Sequence, residues 1–233
     1  MLPSLESDFA QNLALVEERI QRAAERRGLP RAGITLLAVS KKFPAERLAI
    51  AYQAGLREFG ENYVQEFAGK RPALAELTDA RYHLIGHLQS NKSRLACELF
   101  QVIQTIDSPK LLQRLDSSAA ERGQTIEAMI EVKLSAEENK SGADPTQIPS
   151  LLEAAAVCPH VKLTGLMTMP PWSDDPEQAR PYFRQLASLA RQYQLPKLSM
   201  GMSGDLETAI EEGSTMVRVG TALFGKRPKS PSA

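Results

Sequence analysis

Apolar positions along the chain follow two alternating periods. Over residues 4 to 27, Phe9, Leu13, Val16, Ile20 and Ala23 recur at steps of four and three, which predicts an amphipathic helix ending near Gly28-Leu29-Pro30. Eight short apolar runs follow: Ile34 to Val39, Arg57 to Gly60, Tyr82 to Ile85, Val102 to Ile106, Ile126 to Leu134, Val161 to Met167, Lys197 to Met200 and Met216 to Val219. Helical patterns fill the intervals, over Ala45 to Ala54, Tyr63 to Leu77, Ser90 to Leu99, Pro109 to Arg122, Ile148 to Val157, Pro176 to Tyr193 and Asp205 to Glu212. Strands that alternate with helices specify a parallel sheet, because each parallel connection needs a crossover. Eight such units in roughly 200 residues predict an α/β fold, a (β/α)8 TIM barrel with an extra N-terminal helix. An open doubly wound sheet is disfavoured, since no G-x-G-x-x-G follows the first run. One domain over residues 1–225 is expected. The Lys, Pro and Ser-rich stretch 226–233 is expected to be a disordered tail.

Composition narrows the partners. The 28 basic and 28 acidic residues cancel, so nothing global draws the chain to nucleic acid; basic clusters are short, Lys92 with Arg94 and Lys226-Arg227-Pro228-Lys229. Cys97 and Cys158 form neither a CxxC pair nor a zinc spacing, which suits a reducing compartment. Glu6, Asp8, Glu17 and Glu18 stand where a signal peptide needs an apolar core, and no apolar run is long enough to span a membrane. A cytoplasmic protein is expected.

In such barrels the chemistry lies at the C-terminal ends of the strands. Lys41 closes the first run, where desolvation can lower a lysine's pKa and prepare it for Schiff-base chemistry; standing alone, such a position reads first as a solvated strand-end cap. The seventh and eighth runs lead to Ser203-Gly204 and Gly220-Thr221, whose main-chain N–H groups, hydroxyls and following helix starts fit an anion such as phosphate, or simply cap two helices. Arg218 alternates with Val217 and Val219, so with the valines toward the helices it faces the barrel mouth and needs an acceptor: a carboxylate such as Glu131 or Glu61, or a ligand atom. His83 and His87 are four apart without an H-E-x-x-H pattern, so no metal site is expected; His83 reads as a barrel-interior residue or a cofactor neighbour. Met167, Met169, Met200 and Met202 read as adaptable packing, and Trp172 as a loop cover.

Six ordered blocks then carry a resemblance. They are Ala38-Val39-Ser40-Lys41; Phe59-Gly60-Glu61-Asn62-Tyr63-Val64-Gln65-Glu66; His83-Leu84-Ile85-Gly86 with Leu88-Gln89-Ser90-Asn91-Lys92; Gly165-Leu166-Met167; Leu198-Ser199-Met200-Gly201-Met202-Ser203 with Asp205-Leu206-Glu207; and Gly213-Ser214-Thr215-Met216-Val217-Arg218-Val219-Gly220 with Thr221. The chain resembles the pyridoxal phosphate homeostasis proteins, a family similar in fold to the N-terminal barrel of alanine racemases. The resemblance implies that pyridoxal 5′-phosphate (PLP) is held as a Schiff base on Lys41, with Ser203, Gly220 and Thr221 at the phosphate, Arg218 at the pyridine nitrogen, and Asn62 and His83 lining the ring pocket. Two positions depart from the family pattern: Lys133, where many members carry Asn, and His87, where a small residue is common.

What the resemblance implies for function is a PLP carrier or reservoir in vitamin B6 homeostasis, monomeric, with apo PLP-dependent enzymes as possible recipients. No catalytic residue is assigned. An arginine at the pyridine nitrogen disfavours its protonation and makes the cofactor a poor electron sink. The alternative is a weak amino-acid racemase, with Tyr63, His83 or Lys140 as second base in place of the tyrosine that a partner's β-rich domain supplies in the racemases; no such domain is expected here. A Schiff-base aldolase of the same barrel class ranks last.

Overall fold

The computed structural model describes residues 2–135 and 141–226. Eight parallel strands close into a barrel in sequence order: β1 (Thr35–Val39), β2 (Glu58–Glu61), β3 (Arg81–Leu84), β4 (Val102–Ile106), β5 (Ile126–Glu131), β6 (Val161–Met167), β7 (Lys197–Ser199) and β8 (Met216–Val219). β1 completes the ring against β8, with Leu37 opposite Arg218 and Ala38 opposite Val219. The crossovers carry α2 (Ala45–Gln53), α3 (Val64–Lys70), α4 (Ser93–Leu99), α5 (Pro109–Ala120), α6 (Ile148–Ala156), α7 (Arg180–Gln192) and α8 (Leu206–Glu211). A last turn, α9 (Thr221–Phe224), follows β8.

The expected repeat is therefore present, with helix ends trimmed where the sequence contains a breaker. The stretch from Tyr63 divides at Arg71-Pro72 into α3 and a 3-10 turn, since proline cannot donate the next helical hydrogen bond. Ser108 caps α5 by accepting from the Leu111 N–H at 3.4 Å, with Pro109 in the first turn.

Alternation along each strand separates two apolar regions. Outward residues such as Ala38, Phe59, Leu84, Ile103, Ile130, Leu166, Leu198, Val217 and Val219 join the helices in the main core. Leu37, Val39, Ile85 and Met216 form a smaller cluster of their own. Val217 and Val219 thus face the helices, as their alternation with Arg218 implies.

The N-terminal helix, α1 (Leu2–Arg26), lies on α8 and α9. Phe9, Val16, Ile20 and Ala23 are buried, Asn12 Nδ2 donates to the Leu223 carbonyl at 3.0 Å, and Arg19 holds Glu207 through a bidentate pair at 2.6 and 2.7 Å. Its apolar stripe is spent on this chain's own barrel. Among the described residues no helix is long and apolar enough to cross a membrane. Glu138-Asn139-Lys140 and all of the tail beyond Lys226 lie outside the described residues.

Candidate functional site

A cavity of about 360 Å³ opens at the C-terminal end of the barrel, where the strand ends predict it. Lys41, Asn62, Ser203, Arg218, Gly220 and Thr221 all line it, brought from β1, β2, β7 and β8. Val39 and Ile85 form part of its apolar wall, and Met169, Pro171 and Trp172 of the β6–α7 loop another. Trp172 is exposed and borders the cavity, consistent with a loop cover.

Main-chain geometry positions the lysine. Ser40 donates its hydroxyl to Glu61 Oε1 at 2.8 Å, and its N–H to the Gly60 carbonyl at 2.9 Å. Lys70, the last residue of α3, donates to the Ser40 carbonyl at 3.1 Å and to both Glu61 oxygens at 3.0 and 3.2 Å; it also pairs with Glu66 at 2.6 Å. Glu66 accepts the Lys42 N–H at 2.5 Å, and Lys42 sits at φ 64 in the left-handed region. The residues on either side of Lys41 are thus clamped by one partly buried ionic cluster, with Glu61 at its buried end. Burial raises the pKa of Glu61, and the Lys70 ammonium opposes that rise.

Asn62 reaches the cavity because the segment after β3 yields space: a Cβ on Gly86 would stand 2.1 Å from the Asn62 main-chain carbonyl oxygen. Its side-chain Oδ1 is buried and has no hydrogen-bond partner among the described residues. An acceptor left in that state costs free energy, and a ligand hydroxyl or N–H would relieve it.

The β7 and β8 loops form the opposite wall. Gly201, at φ +94, turns the chain after β7; a Cβ there would meet Ala209 at 2.5 Å. Asp205 Oδ1 accepts the Met202 N–H at 2.6 Å, and Ser203 Oγ accepts the Ala222 N–H at 3.3 Å, which ties the two loops together. α8 and α9 are short, six and four residues, so helix dipoles add little here. An anion would depend on the hydroxyls of Ser203 and Thr221 and the main chain around Gly204 and Gly220.

Arg218 is buried, 3% exposed, yet among the described residues none of its hydrogen bonds goes to a carboxylate. Its Nη1 donates to the Ser199 carbonyl at 2.6 Å and the Ser199 hydroxyl at 2.8 Å; Nη2 donates to the Thr168 carbonyl at 2.8 Å. Burial lowers its pKa to about 10, against the pull of Asp205 and Glu131, so it remains a cation at neutral pH. Glu131, at the end of β5, is buried with an unpartnered Oε2, and burial pushes its pKa up to about 7 in spite of Arg218. Glu61 is engaged instead by Ser40 and Lys70.

His83 does not line the cavity. Its ring lies in the barrel interior, 1% exposed, between Glu58 Oε2 at 2.5 Å and Gln104 Nε2 at 2.8 Å. It follows Tyr82 and precedes Leu84 inside β3, so its inward side chain stands below the strand end and meets β2 and β4. That placement also removes it as a second base for a substrate. Lys133 stays off the cavity lining, its N–H on the Ala143 carbonyl at 2.9 Å, and His87 is half-exposed beside Asp107 at 3.5 Å.

The profile of the family described as alanine racemase, N-terminal domain, matches residues 11–228. A pyridoxal phosphate homeostasis protein of Aquifex aeolicus is 43% identical over 223 residues, covering 93% of this chain and 97% of the relative. One from Escherichia coli K12 is 44% identical over 231 residues, covering 96% and 99%. The chain belongs to the pyridoxal phosphate homeostasis protein family. Among solved structures, PipY of Synechococcus elongatus PCC7942 superposes with a TM-score of 0.83 without PLP and 0.80 with PLP bound, at 39% identity over 93% of this chain and 100% of PipY. Alanine racemase of Corynebacterium glutamicum shares the barrel alone, with a TM-score of 0.70 at 20% identity over 97% of this chain and 63% of the racemase.

The clamp of Glu61, Glu66 and Lys70 beside Lys41 is one that its residues do not announce in the sequence. Glu61 and Glu66 stand inside a matched block, but Lys70 follows it by four residues and looks like an ordinary helix-end lysine. Gln104, buried in β4, carries no sequence signal beyond a polar residue in an apolar run.

Proposed function

We propose that this protein binds PLP and acts in vitamin B6 homeostasis as a carrier or reservoir, with the cofactor's aldehyde held on Lys41 as a Schiff base. In that linkage the lysine amine replaces the aldehyde oxygen, C=N forms from C=O, and water leaves. The observation that carries the reading is the convergence on one cavity of Lys41, an unpartnered Asn62 Oδ1, a cationic Arg218, and the hydroxyls of Ser203 and Thr221. These groups match, in order, an aldehyde, a ring hydroxyl, a pyridine nitrogen and a phosphate. The PLP-bound PipY structure supports the same choice of ligand.

Arg218 argues for storage over catalysis. A cation at the ring nitrogen resists its protonation and weakens the ring as an electron sink. Racemisation would further need acid–base groups on both faces of a substrate carbon, and His83 is enclosed in the barrel. The reading includes a cytoplasmic monomer that meets recipient enzymes directly, which light scattering at micromolar concentration can check.

The test is transfer. PLP-loaded protein should restore an apo PLP-dependent enzyme faster than the same concentration of free PLP in the presence of a phosphatase, and should wash deuterium into Cα of alanine no faster than free PLP does. Catalytic deuterium exchange with no transfer would replace this reading with the racemase.

A further inference from the structure

Five side chains form one hydrogen-bonded line through the barrel interior. Arg218 Nη1 donates to Ser199 Oγ at 2.8 Å, and Ser199 Oγ donates to Gln104 Oε1 at 2.6 Å. On its other side Gln104 Nε2 donates to His83 Nδ1 at 2.8 Å, and His83 Nε2 meets Glu58 Oε2 at 2.5 Å. The line runs from β8 through β7, β4 and β3 to the first residue of β2. Its four inner members are 0 to 3% exposed, and only Glu58 reaches the opposite rim.

Every bond in the line has the same polarity. Nδ1 of His83 accepts from the Gln104 amide, which leaves the ring proton on Nε2 to be donated to Glu58. Met216 Sδ, 3.2 Å from Gln104 Nε2, is a second acceptor that favours this amide orientation. Donors therefore point without interruption from the Arg218 cation to the Glu58 carboxylate, and such chains polarise one another in a low dielectric.

We infer that Glu58, His83, Gln104 and Ser199 are positioning residues that act through Arg218, coupling His83 at mid-barrel to the ring of the bound cofactor. The inference rests on Arg218 meeting that ring, as proposed above. A proton on His83 Nδ1 would face the Gln104 amide donor, and the amide would have to turn over. Its nitrogen would then face Ser199 Oγ in place of Oε1, and the Ser199 hydroxyl, which keeps accepting from Arg218, would lose the acceptor of its own proton. A change at either end is thus felt at the other.

The charges around His83 set when this happens. Glu58 faces it from β2, Arg81 from its own strand and Glu127 from β5; Arg81 pairs with both carboxylates at 3.6 and 3.2 Å, and Lys197 with Glu127 at 2.5 Å. Burial lowers the His83 pKa more than Glu58 raises it, so the ring is neutral at neutral pH.

Ring ¹⁵N resonances of the histidines give the readout, with His83 assigned by its loss in His83→Asn. In the apoprotein, Gln104→Met and Ser199→Ala should each raise the His83 pKa, by about one pH unit for the first, because Nδ1 loses its donor or that donor loses its anchor. Gln104→Glu, which offers an acceptor on both sides, should raise it further. An unmoved His83 pKa in folded Ser199→Ala and Gln104→Glu proteins overturns the line itself. In the PLP-loaded wild type the His83 resonances should shift, and in Gln104→Met they should not. No shift in protein whose PLP is fixed by borohydride on Lys41 overturns the coupling to the cofactor. Fixation on a different lysine is the failure of the proposed site, and the apoprotein titrations still decide the line.

Discussion

Lys70 donates from its ammonium to the main-chain carbonyl of Ser40 at 3.1 Å, although the two residues lie thirty positions apart. Through that bond and its pairs with Glu61 and Glu66, the end of α3 holds the turn that presents Lys41. The placement of Lys41 at the cavity therefore rests on a second lysine that does not line it.

Replacing Lys70 by Met should cost about 3 kcal/mol at neutral pH, the usual penalty for stranding one member of a buried ion pair. Burial holds the pKa of Glu61 up, so the stranded carboxyl takes a proton as pH falls and the deficit shrinks in acid. Urea melts of Lys70→Met at pH 5 and pH 7.5 check the sign. Lys70→Met/Glu61→Gln should recover most of the loss of stability, but borohydride labelling of Lys41 should remain slower than in the wild type.

Asn62→Ala separates binding from folding. Its Oδ1 has no partner to lose in the apoprotein, so the melt should stay within about 0.5 kcal/mol of wild type. PLP affinity should fall about tenfold, the equivalent of one hydrogen bond of about 1.4 kcal/mol. Fluorescence titration with PLP beside a urea melt gives both numbers.

Glu131 makes stability depend on pH in a direction unusual for a carboxylate. With a folded pKa of about 7, above its unfolded value, it contributes stability that is complete below the unfolded pKa and lost as pH rises through 7. Glu131→Gln removes that dependence. The variant should exceed the wild-type apoprotein by up to about 3 kcal/mol at pH 8, and the difference should close toward pH 5. Denaturant melts across that range measure it, and Arg218 keeps its Ser199 and Thr168 carbonyls in the variant.

The barrel was readable because each parallel strand, covered on both faces, leaves an uninterrupted apolar run, and polar residues begin where it ends. That boundary marks Lys41 after Val39-Ser40, and alternation in Met216-Val217-Arg218-Val219 turns Arg218 inward. Parity also turns His83 inward, the barrel-interior alternative of its sequence reading, but it does not tell how deep in the barrel the side chain stands. Its depth depends on the stagger of β2, β3 and β4, set by pairings such as Gly60 with His83 and His83 with Val102. Lys70 and Gln104 were hidden for a related reason. Both act through residues distant in sequence, Ser40 for one and Ser199 for the other.

The central claim is that Lys41 is the tether for PLP. Adding PLP to the apoprotein, reducing with borohydride and mapping the labelled peptide should place a stoichiometric label on Lys41, with an imine absorption band that disappears in Lys41→Ala. A label on another lysine, or the same band at full strength in folded Lys41→Ala, would contradict the account.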